Sequence, residues 1–407
     1  SLRHLIIRLR VLFTLVIVVG ILGAVGGLFY FHEKGLNDNI TARVAKEMER
    51  YGIFTEFDHL SFHLIHGLRA NNVAFYRTAQ REVKIATLPT LAIHVDKTKM
   101  MRGILKITTV SVKNASLAVP LITDFPDSPV IEVSKLTGSI DLPGSQSVST
   151  TDLTGIFQGV QVNLSCNVWR DKPKESLPQT DAQKLEKIES YQNVLTQLST
   201  WKWPASTPPK LAIFIEGNLS QPENVDFDFI LESPSLQYKN YPMENVKLEG
   251  DLNQNLITID ELSFTHQADQ LKVTADYDLI QKNGRFKVDS RLHVQNFSQQ
   301  VFGKRIMQHY RGTGQTHLVA TGNYQLPNAS RDALGLDLIG KIESKDFSFH
   351  GVSLDSLNAD FSWNNGDLYL DNIKLRHTLG QLAGRLIIKD RLIRYDMVSS
   401  LPAQVYF

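Results

Sequence analysis

Three histidines in one short stretch are the first residues whose type and spacing suggest chemistry. His59, His63 and His66 lie within FDHLSFHLIHG, and imidazoles at such intervals can share a metal ion when a helix places them on one side. The apolar residues between them alternate, however, which is typical of a β-strand. We therefore expect solvated or cross-strand histidines here rather than a metal site.

Motifs for catalysis and for nucleotide binding do not occur in the sequence. The 407 residues contain no P-loop, no HExxH and no nucleophile elbow. The one cysteine, Cys166, occupies an apolar alternating position, and no partner histidine stands out to activate it. The net charge is +1 and no long basic run is present, so nucleic acid is not an expected partner. We expect neither enzymatic activity nor a metal or cofactor.

Alternating apolar residues dominate the chain after residue 52, and they predict β-strands. The composition, with 42% apolar and 21% charged residues, is that of a globular protein. The clearest alternation places five consecutive side chains on one strand face: Val160, Val162, Leu164, Cys166 and Val168.

One interrupted strand pattern occurs twice in the sequence, and its two copies align without a gap. Its apolar residues are Ile257, Ile259, Leu262 and Phe264 in the first copy and, in the same order, Leu368, Leu370, Ile373 and Leu375 in the second. The alternation breaks at Asp260–Glu261 and at Asp371–Asn372, which predicts a β-bulge in each copy. A fainter copy begins at Lys135, which corresponds to Lys247. The sequence therefore predicts multi-strand β units that repeat about every hundred residues.

An uncharged stretch, residues 11–31, is long enough to cross a bilayer. Arg3, Arg8 and Arg10 precede it, which predicts a cytoplasmic N-terminus. A cleaved signal peptide is the alternative, with the small residues of GAVGG near its cleavage site, but the apolar region of a signal peptide is usually only about 7–15 residues long. We expect an uncleaved anchor with the rest of the chain outside the cytoplasm.

Three further segments predict helices. A short helix is expected over residues 40–51, and a second over residues 296–310. The third, over residues 180–201, is framed by prolines and has four apolar residues on one side: Leu185, Ile188, Leu195 and Leu198. Residues 404–406 align with 300–302, which predicts that the chain is truncated where its next helix begins.

These patterns divide the chain into six expected segments. They are a cytoplasmic stub and transmembrane anchor (1–33), a first β unit (34–175), an amphipathic helix with a proline-rich connection (176–205), a second β unit (206–295), a helix (296–312) and a truncated third β unit (313–407).

These features together resemble the AsmA-like family of bacterial envelope proteins. The resemblance lies in the opening layout of anchor, short helix and strand pair, where LSFHLIHGLRANNVAF supplies the family's pattern through Phe62, Gly67, Leu68 and Val73. In the segment that follows, Met100 and Met101 replace the family's leucines before Gly103, Leu105 and Ile107. The later GDLYLDNI, residues 366–373, is similar to the family's repeated strands.

The resemblance implies a mainly β fold with a few helices, in which a transmembrane helix precedes repeated antiparallel β-sheet units that form an elongated U-shaped apolar groove. It implies a single-pass protein of the bacterial inner membrane with most of its chain in the periplasm. Such a protein would shield phospholipid tails in the groove and conduct lipid toward the outer membrane, with outer-membrane or periplasmic proteins as further expected partners. The expected groove residues are Val160, Val162, Leu164, Cys166, Val168, Ile257, Ile259, Leu262, Phe264, Leu368, Leu370, Ile373 and Leu375.

Alternation alone does not distinguish a lipid groove from a dry protein core. The apolar faces of closed β-sandwich or solenoid units would pack against each other instead. An anchored envelope scaffold of that kind, which influences outer-membrane protein assembly, is the alternative function.

The three arginines and the uncharged stretch predict an anchor whose N-terminus stays in the cytoplasm. A reporter that is active only outside the cytoplasm should therefore remain silent when it is fused to the N-terminus. A positive reporter signal, or N-terminal sequencing that finds cleavage near Gly26, would contradict this expectation.

Overall fold

The computed structural model describes residues 54–402, apart from 99–106, 170–179, 294–311, 327–334 and shorter gaps of one to three residues. The expected anchor at 11–31 and the expected helices at 40–51 and 296–310 lie outside the described residues. In the part of the chain that the structure describes, no helix is both long and apolar enough to cross a bilayer.

The described residues are mainly β, as the alternation predicts, with a single helix among them. In the first half the elements are β1 Phe54–Glu56, β2 His59–His63, β3 Gly67–Tyr76, β4 Lys84–Val95, β5 Ile107–Pro120, β6 Val130–Gly144, β7 Ser147–Phe157, β8 Val160–Trp169 and α1 Asp181–Ser199. They are followed by β9 Trp201–Lys202, β10 Lys210–Asn218, β11 Asp226–Tyr238, β12 Tyr241–Asn253, β13 Leu256–His266, β14 Asp269–Asp278, β15 Asn283–His293 and β16 Gly312–Gln325. The last strands are β17 Gly335–Phe349, β18 Val352–Asn364, β19 Asp367–His377, β20 Gly380–Lys389 and β21 Leu392–Ser399.

The chain forms two compact units. Unit 1 contains residues up to 197 together with 210–227, and unit 2 contains 198–209 together with the residues from 228 onward. In unit 1, β1 and β2 both pair with β3, and β3 to β8 each pair with the next strand in antiparallel fashion. β10 then adds to β8 in parallel. A parallel neighbour needs a long crossover, which α1 provides.

The helix α1 confirms the prediction made for residues 180–201, and its start is fixed by a capping box. Thr180 Oγ1 accepts a hydrogen bond from the Gln183 N–H at 3.4 Å, and Gln183 Oε1 accepts one from the Thr180 N–H at 3.2 Å. Together these two bonds satisfy backbone donors that the first helical turn leaves without partners.

One of the four apolar residues expected on the packed side of α1 lies elsewhere. Ile188 and Tyr191 pack against Leu121 and Ile131 at the end of the unit 1 sheet. Leu185, expected on the same side, is 51% exposed, so that expectation is wrong. Successive residues are about 100° apart around a helix, and the buried side is centred on Lys184 and Ile188, which turns Leu185 toward solvent.

The ten strands from β12 to β21 form an antiparallel meander in unit 2, in which each strand pairs with the next. The predicted repeat is confirmed in these strands, because β12, β13 and β14 have the same lengths as β18, β19 and β20, namely 13, 11 and 10 residues. In unit 1, β7 and β8 have the same lengths as β13 and β14, 11 and 10 residues, and the fainter copy expected from Lys135 stays a prediction.

The predicted bulges are also present. The pairing register shifts between Ile259 and Leu262 on β13 and between Leu370 and Ile373 on β19. The related strand β7 in unit 1 shifts in the same way between Thr150 and Leu153. Two residues are skipped each time, so the apolar side chains before and after the break remain on one face.

The bulge on β19 depends on a left-handed backbone at Asn372, where φ is 52°. Its side-chain Nδ2 donates to Asp360 Oδ2 at 2.7 Å. We expect Asn372→Val to lower the opening free energy of β19 by about 1–2 kcal/mol, because a β-branched residue is strained in this conformation. Native-state hydrogen exchange of the β19 and β20 amides measures this energy.

Two variants serve as controls for this prediction. Asn372→Gly should stay within about 0.5 kcal/mol of the parent, since glycine adopts positive φ without strain. Lys374→Val, at an exposed position of the same strand, should have no comparable cost. Equal losses for Asn372→Val and Lys374→Val would show that the left-handed backbone is not what fixes the bulge.

Candidate functional site

The apolar face of the unit 1 sheet contains all five candidates on β8. Across β8 and β10, Val162 pairs with Leu211, Leu164 with Ile213, and Cys166 with Ile215. Directly paired residues lie on the same face of a sheet, so the three pairs form one apolar row across two strands. The row continues through β7 to β3 with Leu153, Leu136, Ile140, Val112, Leu91, Leu88, Ala70 and Val73.

Burial on the unit 1 face changes along β8. Cys166 and Val168 are 3% and 1% exposed, whereas Val160, Val162 and Leu164 are half-buried. The buried end continues into other strands through residues such as Leu91 and Ile140, which are at most 1% exposed. Protein atoms therefore already surround the Cys166 end of this face, while the Val160 end still meets solvent.

The apolar face of unit 2 contains all eight remaining candidates. Register places Ile257 opposite Tyr277 and Leu262 opposite Val273, and it places Leu370 opposite both Phe361 and Leu386. Between the two groups the same face is formed by Phe286, Val288, Leu318, Ala320, Tyr324, Leu338, Ile342, Phe361 and Trp363. A continuous apolar face thus extends over β13 to β20.

Exposure on this second face is higher than in unit 1. Among the eight candidates, Phe264 and Ile373 are buried, each 6% exposed. The other six are half-buried, namely Ile257, Ile259, Leu262, Leu368, Leu370 and Leu375. Trp363, the next-to-last residue of β18, is 36% exposed. Large apolar side chains on central strands are therefore partly open to water.

One end of the unit 2 face is covered by an aromatic cluster. Tyr241 and Phe264 are buried there with Leu236, Met243, Val246 and Leu292. Trp201 and Trp203, from the segment after α1, pack against this cluster, and the Trp201 ring lies 4.7 Å from that of Tyr238. The two tryptophans thereby close the end of the face at which β13 turns into β14.

A buried polar network lies beside this aromatic cluster. The Asp269 side chain is 4% exposed and accepts the Tyr241 hydroxyl at 2.9 Å. The backbone N–H of His293 also donates to Asp269 at 2.9 Å, and the His293 ring Nδ1 is 2.6 Å from the same carboxylate. Burial, together with the neighbouring Asp269, raises the pKa of Tyr241 well above its ordinary value. The network ties the start of β12 to the end of β15.

Aromatic residues also line the opposite end of the face. The rings of Tyr277 and Tyr324 are stacked 5.9 Å apart at an angle of 7°. Tyr324 lies over Gly284, where an added Cβ would be 2.7 Å from the phenol oxygen, so glycine leaves the space that the ring occupies. The Tyr324 hydroxyl donates to the backbone carbonyl of Asp276 at 3.1 Å. Both ends of the apolar face are thus aromatic with a polar rim.

The other face of unit 2 is polar. Cross-strand ion pairs connect Lys247 with Glu261 at 3.2 Å and Arg285 with Asp276 at 2.8 Å. The hydrogen bond from Lys247 lowers the pKa of Glu261. A broad cavity of about 980 Å³ lies against this face and is lined by charged residues such as Asp276, Arg285 and Lys287. Two ion pairs, Arg285 with Asp276 and Lys389 with Asp367, lie in its lining.

Two of the three candidate histidines, His59 and His63, lie on a strand, as the alternation predicts. His59 and His63 are the two ends of β2 and pair with Asn71 and Gly67 of β3. His66 lies outside the described residues. Within the described ranges, no group of three histidine, cysteine, aspartate or glutamate residues could hold a metal ion.

Sequence reasoning missed the residues that close the ends of the unit 2 face. Trp201 and Trp203 have a visible signal, the stretch WKWP that ends in Pro204, but nothing in the sequence indicates where they pack. Tyr241, Asp269 and His293 have no signal, because they are 28 and 24 residues apart and meet only in the folded sheet.

No family model, no curated protein and no solved structure matches this chain.

The raised pKa of Tyr241 predicts a loss of unit 2 stability at alkaline pH. Below pH 10 the tyrosine is protonated in both the folded and the unfolded chain, so its contribution is constant. Above this pH the unfolded tyrosine ionises while the folded one keeps its proton, so the stability contribution falls. Urea titrations followed by tryptophan fluorescence should show this fall as the pH rises above about 10.

Tyr241→Phe separates this effect from general alkaline unfolding. It should cost about 1–3 kcal/mol at neutral pH, because Asp269 loses a buried donor, and it should reduce the alkaline fall. Tyr369→Phe, on the polar face, should leave the fall unchanged. The same alkaline fall in the parent and in Tyr241→Phe would contradict this assignment.

Proposed function

We propose that this chain binds the acyl tails of phospholipids on the apolar faces of its sheets and conducts lipid from the inner membrane toward the outer membrane. In this proposal residues 11–31 anchor the chain in the inner membrane and the β units lie in the periplasm. Its supports are the resemblance of the sequence to AsmA-like proteins and the partial exposure of the unit 2 face.

The observation that carries the proposal is the half-buried state of large apolar side chains on central strands of unit 2. Leu338 and Phe361 pair with strands on both sides, yet they are not buried. In a closed sandwich such inward residues pack against the facing sheet and lose nearly all their exposure. A face that keeps this exposure gains free energy when it is covered by another apolar surface.

An acyl chain of a lipid is an apolar surface that could cover this face. Each methylene taken out of water contributes about 0.8 kcal/mol, so a two-chain lipid crossing an aqueous compartment unshielded carries a cost of over roughly 20 kcal/mol. A broad face that is mainly apolar, with small hydroxyl side chains such as Ser290, Thr316 and Ser344 among its polar groups, lowers this cost and leaves the head group in water. The tyrosines at the end of the face, with apolar rings and polar hydroxyls, suit the boundary between tail and head group.

A second candidate function, an anchored scaffold that influences outer-membrane protein assembly, is favoured by unit 1 alone. There the apolar face is already packed at Leu91, Ile140 and Cys166. A unit that buries its own apolar face has less free energy to gain from lipid, and it could serve as a rigid support. In the lipid proposal, contact in unit 1 is confined to the half-buried end at Val160, Val162 and Leu164.

Neighbouring residues on β19 test the lipid proposal. Leu370 lies on the apolar face and Tyr369 on the polar face. Both side chains are half-buried, so the two positions differ in the face they occupy and not in their burial. A photoreactive residue at Leu370 of the full chain in membranes should form adducts with labelled phospholipid, and one at Tyr369 should form few or none. Adducts at neither position, or equally at both, would contradict lipid binding on the apolar face.

A charge on the same face gives an independent test. Leu370→Asp should lower several-fold the amount of phospholipid that co-purifies with the full chain, measured by mass spectrometry, whereas Tyr369→Asp should not. The chain should remain folded by circular dichroism, because a carboxylate on an accessible face reaches water. In a dry core an unpaired charge would cost several kcal/mol. Unfolding of Leu370→Asp with no lipid in the parent would favour the scaffold.

A further inference from the structure

Four exposed aliphatic residues lie at one end of the unit 2 strands, and we call them the aliphatic rim. Leu256, Leu279, Ile280 and Leu326 are 45%, 43%, 72% and 38% exposed. The first begins β13, the next two lie in the turn from β14 to β15, and the last follows β16. The pairing of β13 with β14 and of β15 with β16 places all four at the same end of the sheet. A group of exposed apolar side chains of this kind marks an interaction surface.

Backbone hydrogen bonds hold the aliphatic rim in place. The Leu279 N–H donates to the carbonyl of Asn255, in the turn before β13, at 2.8 Å. The Leu326 N–H donates to the carbonyl of the last residue in the turn between β14 and β15 at 2.9 Å. Within that turn the Asp278 carboxylate accepts the Ile280 N–H at 2.8 Å. The rim is therefore ordered in advance, and little conformational entropy is lost when another apolar surface covers it.

The second copy of the repeat indicates that the strands themselves do not require aliphatic residues at these positions. In the alignment without a gap, Leu256 corresponds to Asp367. Leu279–Ile280 directly follow β14, and Asp390–Arg391 directly follow β20, the matching strand. Charged residues thus accompany the same strands in the second copy. The aliphatic rim is a property of the first copy alone, which favours a role in binding over a role in folding.

The aliphatic rim borders the open end of the unit 2 apolar face. Tyr277, one residue before Asp278 at the end of β14, belongs to this face, and its ring stacks on that of Tyr324. The opposite end of the face is closed by Trp201 and Trp203. Apolar side chains are therefore continuous from the rim onto the face, and this is the end at which an acyl tail can pass onto it.

The charges of the turn between β14 and β15 fit a phospholipid surface. The Asp278 carboxylate is half-buried and is engaged by backbone N–H groups of the turn. Lys282 is exposed in the same turn. The outward charge beside Ile280 is thus positive, and a lysine beside inserted aliphatic residues pairs with the phosphates of a lipid surface.

We propose that the aliphatic rim inserts into the surface of a phospholipid bilayer and that acyl tails pass there onto the unit 2 apolar face. The contact is driven by removal of the four aliphatic side chains from water, with aromatic rings directly behind them. The passage of tails rests on the proposed function, whereas the contact with the bilayer does not require that lipid is conducted.

Quenching of a fluorescent label by lipid tests the contact. Ile280→Cys and Leu379→Cys, each labelled with an NBD dye, are compared in the full chain incorporated into vesicles of phosphatidylethanolamine and phosphatidylglycerol. Leu379 is the matched control, because it is 58% exposed in a turn at the opposite end of the strands. Phospholipids brominated on their acyl chains should at least halve the emission at position 280 and leave that at position 379 within a tenth of its unquenched value. The parent, whose Cys166 is buried, gives the background labelling.

Equal quenching at the two positions, or no quenching at position 280, would overturn the proposal. A photoreactive residue in place of Ile280 should capture labelled phospholipid in membranes. Capture of a protein and no phospholipid at this position would assign the rim to a protein partner and would likewise overturn the proposal.

The repeat also supplies a variant that matches residues the chain already uses. L279D/I280R gives the turn the two residues that follow β20, so it should remain folded by circular dichroism. Quenching of a label at Leu256→Cys should fall at least twofold in this variant. Phospholipid adducts of a photoreactive residue at Leu370 should fall several-fold. Leu379→Asp should change neither measurement.

These two measurements separate the bilayer contact from the proposed function. Quenching at the rim without adducts at Leu370 in the parent would contradict lipid binding on the apolar face and would leave the bilayer contact in force. Adducts at Leu370 that persist in L279D/I280R after quenching at the rim is lost would overturn the passage of tails at this end. Quenching at Leu256→Cys that is unchanged in L279D/I280R would overturn the contact through the turn.

Discussion

Strand alternation is the constraint on which the rest of this structure depends. Each strand must keep its apolar side chains on one face while the chain reverses direction, since a slip by one residue would turn the whole set to the other face. The two-residue bulges at Thr150–Leu153, Ile259–Leu262 and Leu370–Ile373 resolve that problem in the same way three times. They allow a polar dipeptide to interrupt an apolar strand without dividing the face. Both apolar faces depend on these bulges, and so do the functions that we propose for them.

The two faces of unit 2 contribute differently to its stability. The polar face has many ion pairs, but pairs such as Arg385 with Asp371 have both side chains about half exposed, and such pairs contribute little. The apolar face is only half-buried along its middle. The strongest packing is therefore at the end closed by Trp201, Tyr241 and Phe264, where rings, aliphatic side chains and the buried Asp269 meet. A sheet fixed firmly at one end can leave the remainder of its apolar face accessible.

The fold was predictable wherever its cause is local. Alternation predicts the strands, the flanking prolines and the spacing of apolar residues predict α1, and the break at Asp371–Asn372 predicts a bulge. Contacts between distant residues were not predictable. The parallel pairing of β8 with β10 depends on the path of α1, and the closure by Trp201 depends on where β12 to β15 lie. Burial was not predictable either: Leu164 and Cys166 are equivalent in pattern, yet Cys166 is buried and Leu164 is half-buried because their surroundings differ.

The meander of unit 2 has a consequence for how the protein forms and comes apart. Its strands pair in sequence order, and seven of its nine connections are turns of two to four residues, so the entropy lost at most steps is small. Strands can then be added one by one as the chain emerges during synthesis. In such an array stability is a sum of neighbour terms and unfolding need not be all-or-none. Mechanical tension applied to the chain on the C-terminal side of β21 should thus detach the strands one after another. The segment around Trp201 and Tyr241 should unfold last.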